Sequence, residues 1–350
     1  MRILFLGGTR FLGRHAVDVA LARGHAVTLF TRGRTPNHWG EKVALLAGDR
    51  DPKVAPGLDA LRDGTWDAVI DTSGYVPRVV RASAELLRGR AAQYLFVSSI
   101  SAYADGGGAG RDESAPVGKL EDPETEEIAK HYGPLKAACE DAVRAAFGDA
   151  AIIVRPGLIV GPHDATDRFG YWVARFRQPA LLGDRPEQAV VPAPRNAPVQ
   201  FIDARDLAVF MIDLIDANAG EARGGGTYNA TSPDGLWTWD SLVEALCAGV
   251  ATPAPRWIDE ALLIEQKVEP WTGLPLWIPS TFADEAGFME FDSRRATAAG
   301  MRIRPLPETI DATAAWLAAR DNGSAWKTVL TAPAEREILA FAAASRTSAR

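Results

Sequence analysis

Ile3-Leu4-Phe5-Leu6-Gly7-Gly8-Thr9-Arg10-Phe11-Leu12-Gly13 is the stretch from which the fold is read. A short unbroken apolar run such as Ile3 to Leu6 suits a strand buried on both faces. From Leu12 to Arg23 the residues Ala16, Val19, Ala20 and Ala22 are small or apolar as in a packed helix. Gly24 stands where a helix C-cap is expected. Strand, glycine turn and helix in that order bring bare backbone N–H groups and a helix N-terminus to one point, where a pyrophosphate can approach.

Outward from this unit the rhythm repeats. Ala26 to Phe30, Val43 to Ala47, Ala68 to Ile70, Tyr94 to Val97 and Ala151 to Val154 read as further strands, with helical segments between several of them. Alternation of this kind predicts an α/β fold, a doubly wound parallel Rossmann sheet over residues 1–155. Residues 104–119 are rich in Gly, Asp, Ser and Pro and predict a surface loop. Prolines then cluster at 179–198, three glycines follow at 224–226, and tryptophans recur from Trp237 to Trp277. Residues 156–330 are therefore expected to form a smaller, irregular C-terminal substrate-binding domain that partly folds back on the first. Residues 331–350 are expected to form a C-terminal helix, over Pro333 to Ala344, and a frayed tail.

The 350 residues carry a formal charge of −7. An acidic chain has little attraction for a phosphodiester backbone, so nucleic acid is a disfavoured partner. The two cysteines, Cys139 and Cys247, lie far apart in no metal-ligand spacing. They predict no disulfide framework, no metal and a reducing, cytoplasmic setting. Met1-Arg2 runs straight into the first strand, so no signal peptide is expected. No apolar run approaches the ~20 residues that span a bilayer, so no membrane partner is expected.

The second strand ends in Thr31-Arg32-Gly33-Arg34, where an NAD-specific Rossmann fold carries an acid for the ribose 2′-hydroxyl. Two arginines instead suit a 2′-phosphate, so NADP(H) is favoured over NAD(H); the alternative is that Arg32 and Arg34 are solvated loop charges. His131-Tyr132-Gly133-Pro134-Leu135-Lys136 contains Tyr-x-x-x-Lys, which puts phenol and amine on one helix face. A free phenol titrates near 10, and a cation one turn away favours phenolate. Pro134 requires the helix to begin close to Tyr132, because proline is tolerated only in a first turn.

Phe96-Val97-Ser98-Ser99-Ile100-Ser101-Ala102-Tyr103 follows the fifth strand, and Arg155-Pro156 follows the sixth. The glycine loop, the Ser segment, Tyr-x-x-x-Lys and Arg-Pro occur in the order found in extended short-chain dehydrogenases/reductases, the NAD-dependent epimerase/dehydratase family. The chain resembles that family well over about residues 1–210, and then through Gln200 to Ala208 and Arg304-Pro305-Leu306. The resemblance implies Ser99, Tyr132 and Lys136 as the catalytic set. It implies Gly7, Gly8, Thr9, Arg10, Phe11, Leu12, Gly13, Asp49 and Lys136 as cofactor contacts, with Asp49 at the adenine. Arg10 departs from the family's middle glycine and would add a phosphate contact. Ile100 and Ser101 stand where nucleotide-sugar 4,6-dehydratases of the family carry an Asp-Glu pair, which argues against dehydration. A homodimer through two helices per subunit is usual in the resembled family.

Gly161 to Trp172 follows the sixth strand, at the end where open α/β sheets bind ligands. Asp164, Thr166, Asp167 and Arg168 suit sugar hydroxyls or a phosphate, and Trp172 suits stacking on a ring. Equally, Asp or Thr would cap a helix there, with Tyr171 and Trp172 in the core. The leading expectation is an NAD(P)-dependent reductase or dehydrogenase acting on a small-molecule carbonyl. The alternatives are a nucleotide-sugar epimerase that retains NAD, and a non-catalytic relative of the kind that binds RNA or senses redox state.

Overall fold

A computed structural model describes residues 1–219, 225–249, 253–285, 287–320 and 325–348. The first half runs β1 (Arg2–Leu6), α1 (Phe11–Ala22), β2 (Ala26–Thr31), β3 (Val43–Ala47), β4 (Trp66–Asp71), α2 (Pro77–Leu87), β5 (Ala91–Val97), α3 (Ile128–Phe147) and β6 (Ala151–Pro156). The second half runs β7 (Leu158–Val160), α4 (Gly170–Arg177), β8 (Gln188–Pro192), β9 (Phe201–Asp203), α5 (Ala204–Ala217), β10 (Gly226–Ala230), α6 (Trp239–Cys247), β11 (Ala254–Ile258), α7 (Glu260–Glu265), α8 (Arg294–Ala298), α9 (Leu306–Ala318) and α10 (Ala332–Ser348). A frayed tail was expected beyond Ala344; the helix continues to Ser348, and residues 349–350 lie outside the described chain.

Seven parallel strands form the main sheet in the order β10-β6-β5-β4-β1-β2-β3. This is the doubly wound Rossmann sheet. The alternation of side chains along each strand divides its faces. Ile3, Phe5, Leu95 and Val97 face the core shared with α1 and α5, whereas Leu4, Leu6, Tyr94 and Phe96 face the core under α2 and α3. After α1, Gly24 adopts φ +76° and His25 N–H returns to the Ala20 carbonyl (3.0 Å), closing the helix with a left-handed cap.

The sequence underestimates how far the later segment returns. Helix α5 packs on α1, and β10 extends the main sheet beside β6. The rest of that segment builds a second core around Trp172, Phe176, Trp239 and Trp277. Two small parallel pairs, β7 with β9 and β8 with β11, support it. Helix α10 is tied in by a buried ion pair: Glu335 accepts from Arg175 Nε at 3.0 Å, from Arg185 Nη1 at 3.2 Å and from the Val190 N–H at 3.2 Å.

Winding direction reverses between β1 and β4, so the crevice expected for a ligand lies beyond the carboxyl ends of these strands. The segments leaving both ends, Gly7–Gly13 and Thr72–Tyr75, border one large cavity.

Candidate active site

The cradle at the end of β1 is built by close backbone approach. Gly7 and Gly8 hold φ of +98° and +91°, conformations that side-chain-bearing residues avoid. A β-carbon on Gly13 would stand 2.6 Å from Gly8 Cα, so only glycine lets α1 sit this near the loop. Helix α1 starts after Arg10 with no side-chain cap and no acid in its first turn. Its leading N–H groups and the positive end of its dipole are left for an anion.

Residues Gly7 through Gly13 all line the cavity, and its volume is about 1360 Å³. Leu12 also belongs to the core shared with α5. Arg10 Nε donates to Thr35 Oγ1 (3.2 Å), bridging this loop to the one after β2. Arg32 and Arg34 are exposed on the same rim, and neither ion-pairs with a described carboxylate. Asp49 lines the cavity past β3 and accepts from the Asp51 N–H (2.9 Å).

Under this rim lies a charge network that the sequence did not reveal. Arg50 makes two 2.7 Å bonds to the carboxylate of Asp71, which is fully buried and also accepts from Tyr94 Oη (2.8 Å) and the Ser73 N–H (3.0 Å). Arg50 also donates to Ser83 Oγ on α2 (2.9 Å). The network pins the ends of β3 and β4 to α2.

Ser99 follows β5 and starts a one-turn helix, accepting from the Ser101 N–H (3.1 Å). Helix α3 reaches it through Gly133, where any β-carbon would collide with the Ser101 carbonyl. The helix breaks at His131 (φ −123°, ψ 29°) and resumes at Tyr132. Pro134 therefore falls in the first turn of the resumed helix, as its lack of an N–H requires. Ser99, Tyr132 and Lys136 all line the cavity. Burial holds the Tyr132 phenol above its ordinary 10.0, while hydrogen bonding with Ser99 and the Arg168 guanidinium pull it down. Lys136 Nζ donates to the carbonyls of Val97 (2.6 Å) and Gly74 (2.7 Å), between the rings of Phe96 and Tyr75.

Of the residues expected on the substrate side, Thr166 and Arg168 line the cavity. Trp172 is a correction. It is fully buried, stacks on Phe176 and meets Trp239 edge-to-face in the second core, and donates its indole N–H to the Pro275 carbonyl (2.8 Å), so no ring can reach it. Asp164 is also buried and turns inward, accepting from the Thr166 N–H (2.8 Å) and Oγ1 (2.9 Å). Asp167 is taken by Arg320.

Tyr75, Trp271, Thr272, Glu285, Phe288 and Thr328 also belong to the lining. They sit in irregular segments with no motif to single them out. The Phe288 segment is fastened to the 104–119 loop: Gly110 N–H donates to the Glu290 carbonyl (2.7 Å), and Phe291 stacks on Tyr103. Among the described residues no group of three or more His, Cys, Asp or Glu is placed to hold a metal, and no helix is long and apolar enough to cross a membrane.

Residues 67–230 match the model of the NAD dependent epimerase/dehydratase family. The chain is similar to the chloroplast stem-loop binding protein of 41 kDa b of Arabidopsis thaliana, with 24% identity over 73% of this chain and 65% of that protein. It is similar to the ceramide reductase of Caulobacter vibrioides, with 31% identity over 51% of this chain and 52% of that protein. The chain thus spans between half and two thirds of the lengths of these two relatives. A solved UDP-glucuronic acid 4-epimerase from Bacillus cereus, in complex with NAD, shares the fold at a TM-score of 0.64, with 14% identity over 93% of this chain and 99% of that one.

Burial lowers the Lys136 ammonium from 10.5 to about 8. The unfolded chain then holds that proton more tightly than the folded one, so this group adds stability as pH rises from about 8 toward 10.5. Between pH 8 and 10 the stability of the wild type should gain on that of Lys136→Met by at most about 2–3 kcal/mol. Urea denaturation of both proteins across this range measures the difference; a constant gap would mean that Lys136 does not titrate there.

Proposed function

We propose that this chain, a member of the NAD dependent epimerase/dehydratase family by its match over residues 67–230, is an NAD(P)-dependent oxidoreductase of the extended short-chain type, acting on a carbonyl or alcohol carbon. One observation carries the reading: Ser99, Tyr132 and Lys136 line the same cavity as the Gly7–Gly13 cradle. The cavity exceeds the ~300–1,000 Å³ usual for a single small ligand, which suits a dinucleotide with a substrate beside it. Uncapped helix N–H groups, and a glycine contact that any side chain would fill, suit its pyrophosphate.

In this proposal Gly7, Gly8, Thr9, Arg10, Phe11, Leu12 and Gly13 hold the pyrophosphate, and Asp49 faces the adenine. Lys136 donates to the nicotinamide ribose. Arg32 and Arg34 hold a 2′-phosphate, so NADP(H) is preferred over NAD(H). When bound, the nicotinamide supplies the hydride chemistry that interconverts carbonyl and alcohol. The protein's part is proton transfer and charge stabilisation. Tyr132 donates a proton to the carbonyl oxygen, or removes it in the reverse direction, and Ser99 donates a hydrogen bond to the same oxygen. Residues 1–155 carry the cofactor, residues 156–330 the substrate side, and 331–350 a terminal helix. A cytoplasmic homodimer completes the proposal.

The second reading is a nucleotide-sugar epimerase that keeps its NAD. The volume of about 1360 Å³, with Trp271 and Thr328 in the same lining as Tyr132, favours it. The likeness to a stem-loop binding protein raises RNA as a ligand, against which stand the net charge of −7 and the assembled Ser99, Tyr132 and Lys136.

Tyr132→Phe should lower carbonyl turnover at least a hundredfold and leave NADPH affinity near wild type by fluorescence titration; full activity would remove Tyr132 from the mechanism. Arg32→Ala should weaken NADPH about tenfold and NADH little, the loss expected for one charge-assisted contact; equal weakening of both would refute the 2′-phosphate role. Mass analysis of nucleotide released on denaturation separates the two enzyme readings. A protein free of nucleotide supports an exchanging reductase, and stoichiometric NAD supports the epimerase.

A further inference from the structure

We propose that Arg168 receives an anionic group of the substrate, a carboxylate or a phosphate, next to the reacting centre at Tyr132. This deepens the oxidoreductase reading and rests on it for where that centre lies.

The charged residues lining the cavity are mostly committed. Arg50 is bound to Asp71, and Asp51 to Arg78. Lys136 is held by two carbonyls, and Arg10 by Thr35. Arg32 and Arg34 belong to the rim after β2, at the end assigned to the adenosine. Arg168 is different. It lies in the cavity lining with Tyr132, half-buried, and it forms no ion pair with a described carboxylate.

Its orientation is nevertheless fixed. Nε donates to Thr166 Oγ1 (3.1 Å), and that hydroxyl donates in turn to Asp164 Oδ2 (2.9 Å). Asp164 is 3% exposed, and its second oxygen accepts from the Thr166 N–H (2.8 Å), so the support is rigid. Asp164 reaches Arg168 through Thr166 and leaves the guanidinium fork uncovered. Nη1 and Nη2 donate to no described acceptor. A guanidinium has five donors and no acceptor, and its fork matches the two oxygens of a carboxylate or phosphate. A half-buried cation that is offset only in part by Asp164, with both outer nitrogens free, suits an anion better than a neutral hydroxyl.

Of the remaining carboxylates of the lining, neither Asp49, which accepts from the Asp51 N–H, nor Glu285 forms an ion pair with Arg168. Burial raises the Glu285 pKa, a hydrogen bond with Trp271 lowers it, and the charges of Asp105 and Asp284 raise it further. The cavity therefore keeps a positive spot beside Tyr132 and a separate one on the rim after β2.

The test uses three matched pairs of probes that differ by one anionic group: UDP against uridine, UDP-glucuronate against UDP-glucose, and pyruvate against methyl pyruvate. Each is titrated calorimetrically into the 350-residue protein, as purified and saturated with NADP⁺. In at least one pair the anion should bind at least tenfold more tightly than its neutral or less charged partner, and the pair that responds identifies phosphate or carboxylate as the source. Arg168→Gln should reduce that preference to less than threefold while NADPH affinity stays within threefold of wild type. Arg168→Lys, which keeps charge without the fork, should recover part of it. Absence of any preference in all three pairs, or a preference that survives Arg168→Gln, overturns the proposal. Arg168-dependent anion binding without Tyr132-dependent turnover would remove the oxidoreductase reading alone. Turnover with no Arg168 dependence would remove this proposal alone.

Discussion

The site depends on backbone meeting backbone without an intervening side chain. At one end Gly13 lets α1 close on Gly8, and at the other Gly133 lets α3 close on the Ser101 carbonyl. The second contact is the more consequential. Tyr132 precedes Gly133, and the helix resumes at Tyr132 after the break at His131. The phenol is thus carried on the first rigid turn of α3, pressed against the segment that bears Ser99. Serine and tyrosine are more than thirty residues apart in sequence, and a single missing β-carbon brings them together. Substituting either glycine would displace a helix rather than a side chain.

Buried charge then fixes what the glycines bring close. Arg50 and Asp71 join the ends of two strands to α2, and Glu140 joins α3 to β6 through Arg155 and to β5 through Ser98. Glu335 does the same for α10. Such pairs add little net stability over apolar packing, but removing one partner typically costs about 3–5 kcal/mol, because the other is left buried and unpaired. Their effect here is positional. The ends of β3, β4 and β6 beside the cavity are held by directional ion pairs, and that of β5 by the Ser98–Glu140 hydrogen bond, in addition to the sheet ladder.

The parts legible in the sequence are those with local chemistry. The β1 strand, the glycine turn, the α1 helix and its Gly24 cap follow from adjacent residues, and so does the early helix start forced by Pro134. The parallel strands were legible because a strand buried on both faces is an unbroken apolar run. What depends on distant partners was not legible. Nothing near Gly226–Ala230 announces a seventh strand of the main sheet, since its pairing is with Ala151–Pro156. Trp172 reads equally as a stacking platform or a core residue, and Trp239 and Pro275, which decide for the core, are about 70 and 100 positions away. Trp271, Glu285 and Phe288 reach the cavity from irregular chain with no periodicity. Lys136 shows what spacing leaves open: one turn from Tyr132 in sequence, its ammonium is held by the carbonyls of Val97 and Gly74, which no local pattern announces.

Net charge and local charge point in opposite directions. The chain is acidic overall, yet the cavity lining carries Arg10, Arg32, Arg34, Arg50, Lys136 and Arg168 against Asp49, Asp51 and Glu285. Two of the cations are offset nearby, Arg50 by Asp71 and Arg168 in part by Asp164. The excess that remains lies on walls of low dielectric, where field lines concentrate. A polyanion must first approach the acidic outside, whereas a small anion need only enter the cleft. This separation of scales favours a compact phosphorylated or carboxylated ligand over a nucleic-acid backbone, and it requires no basic surface to do so.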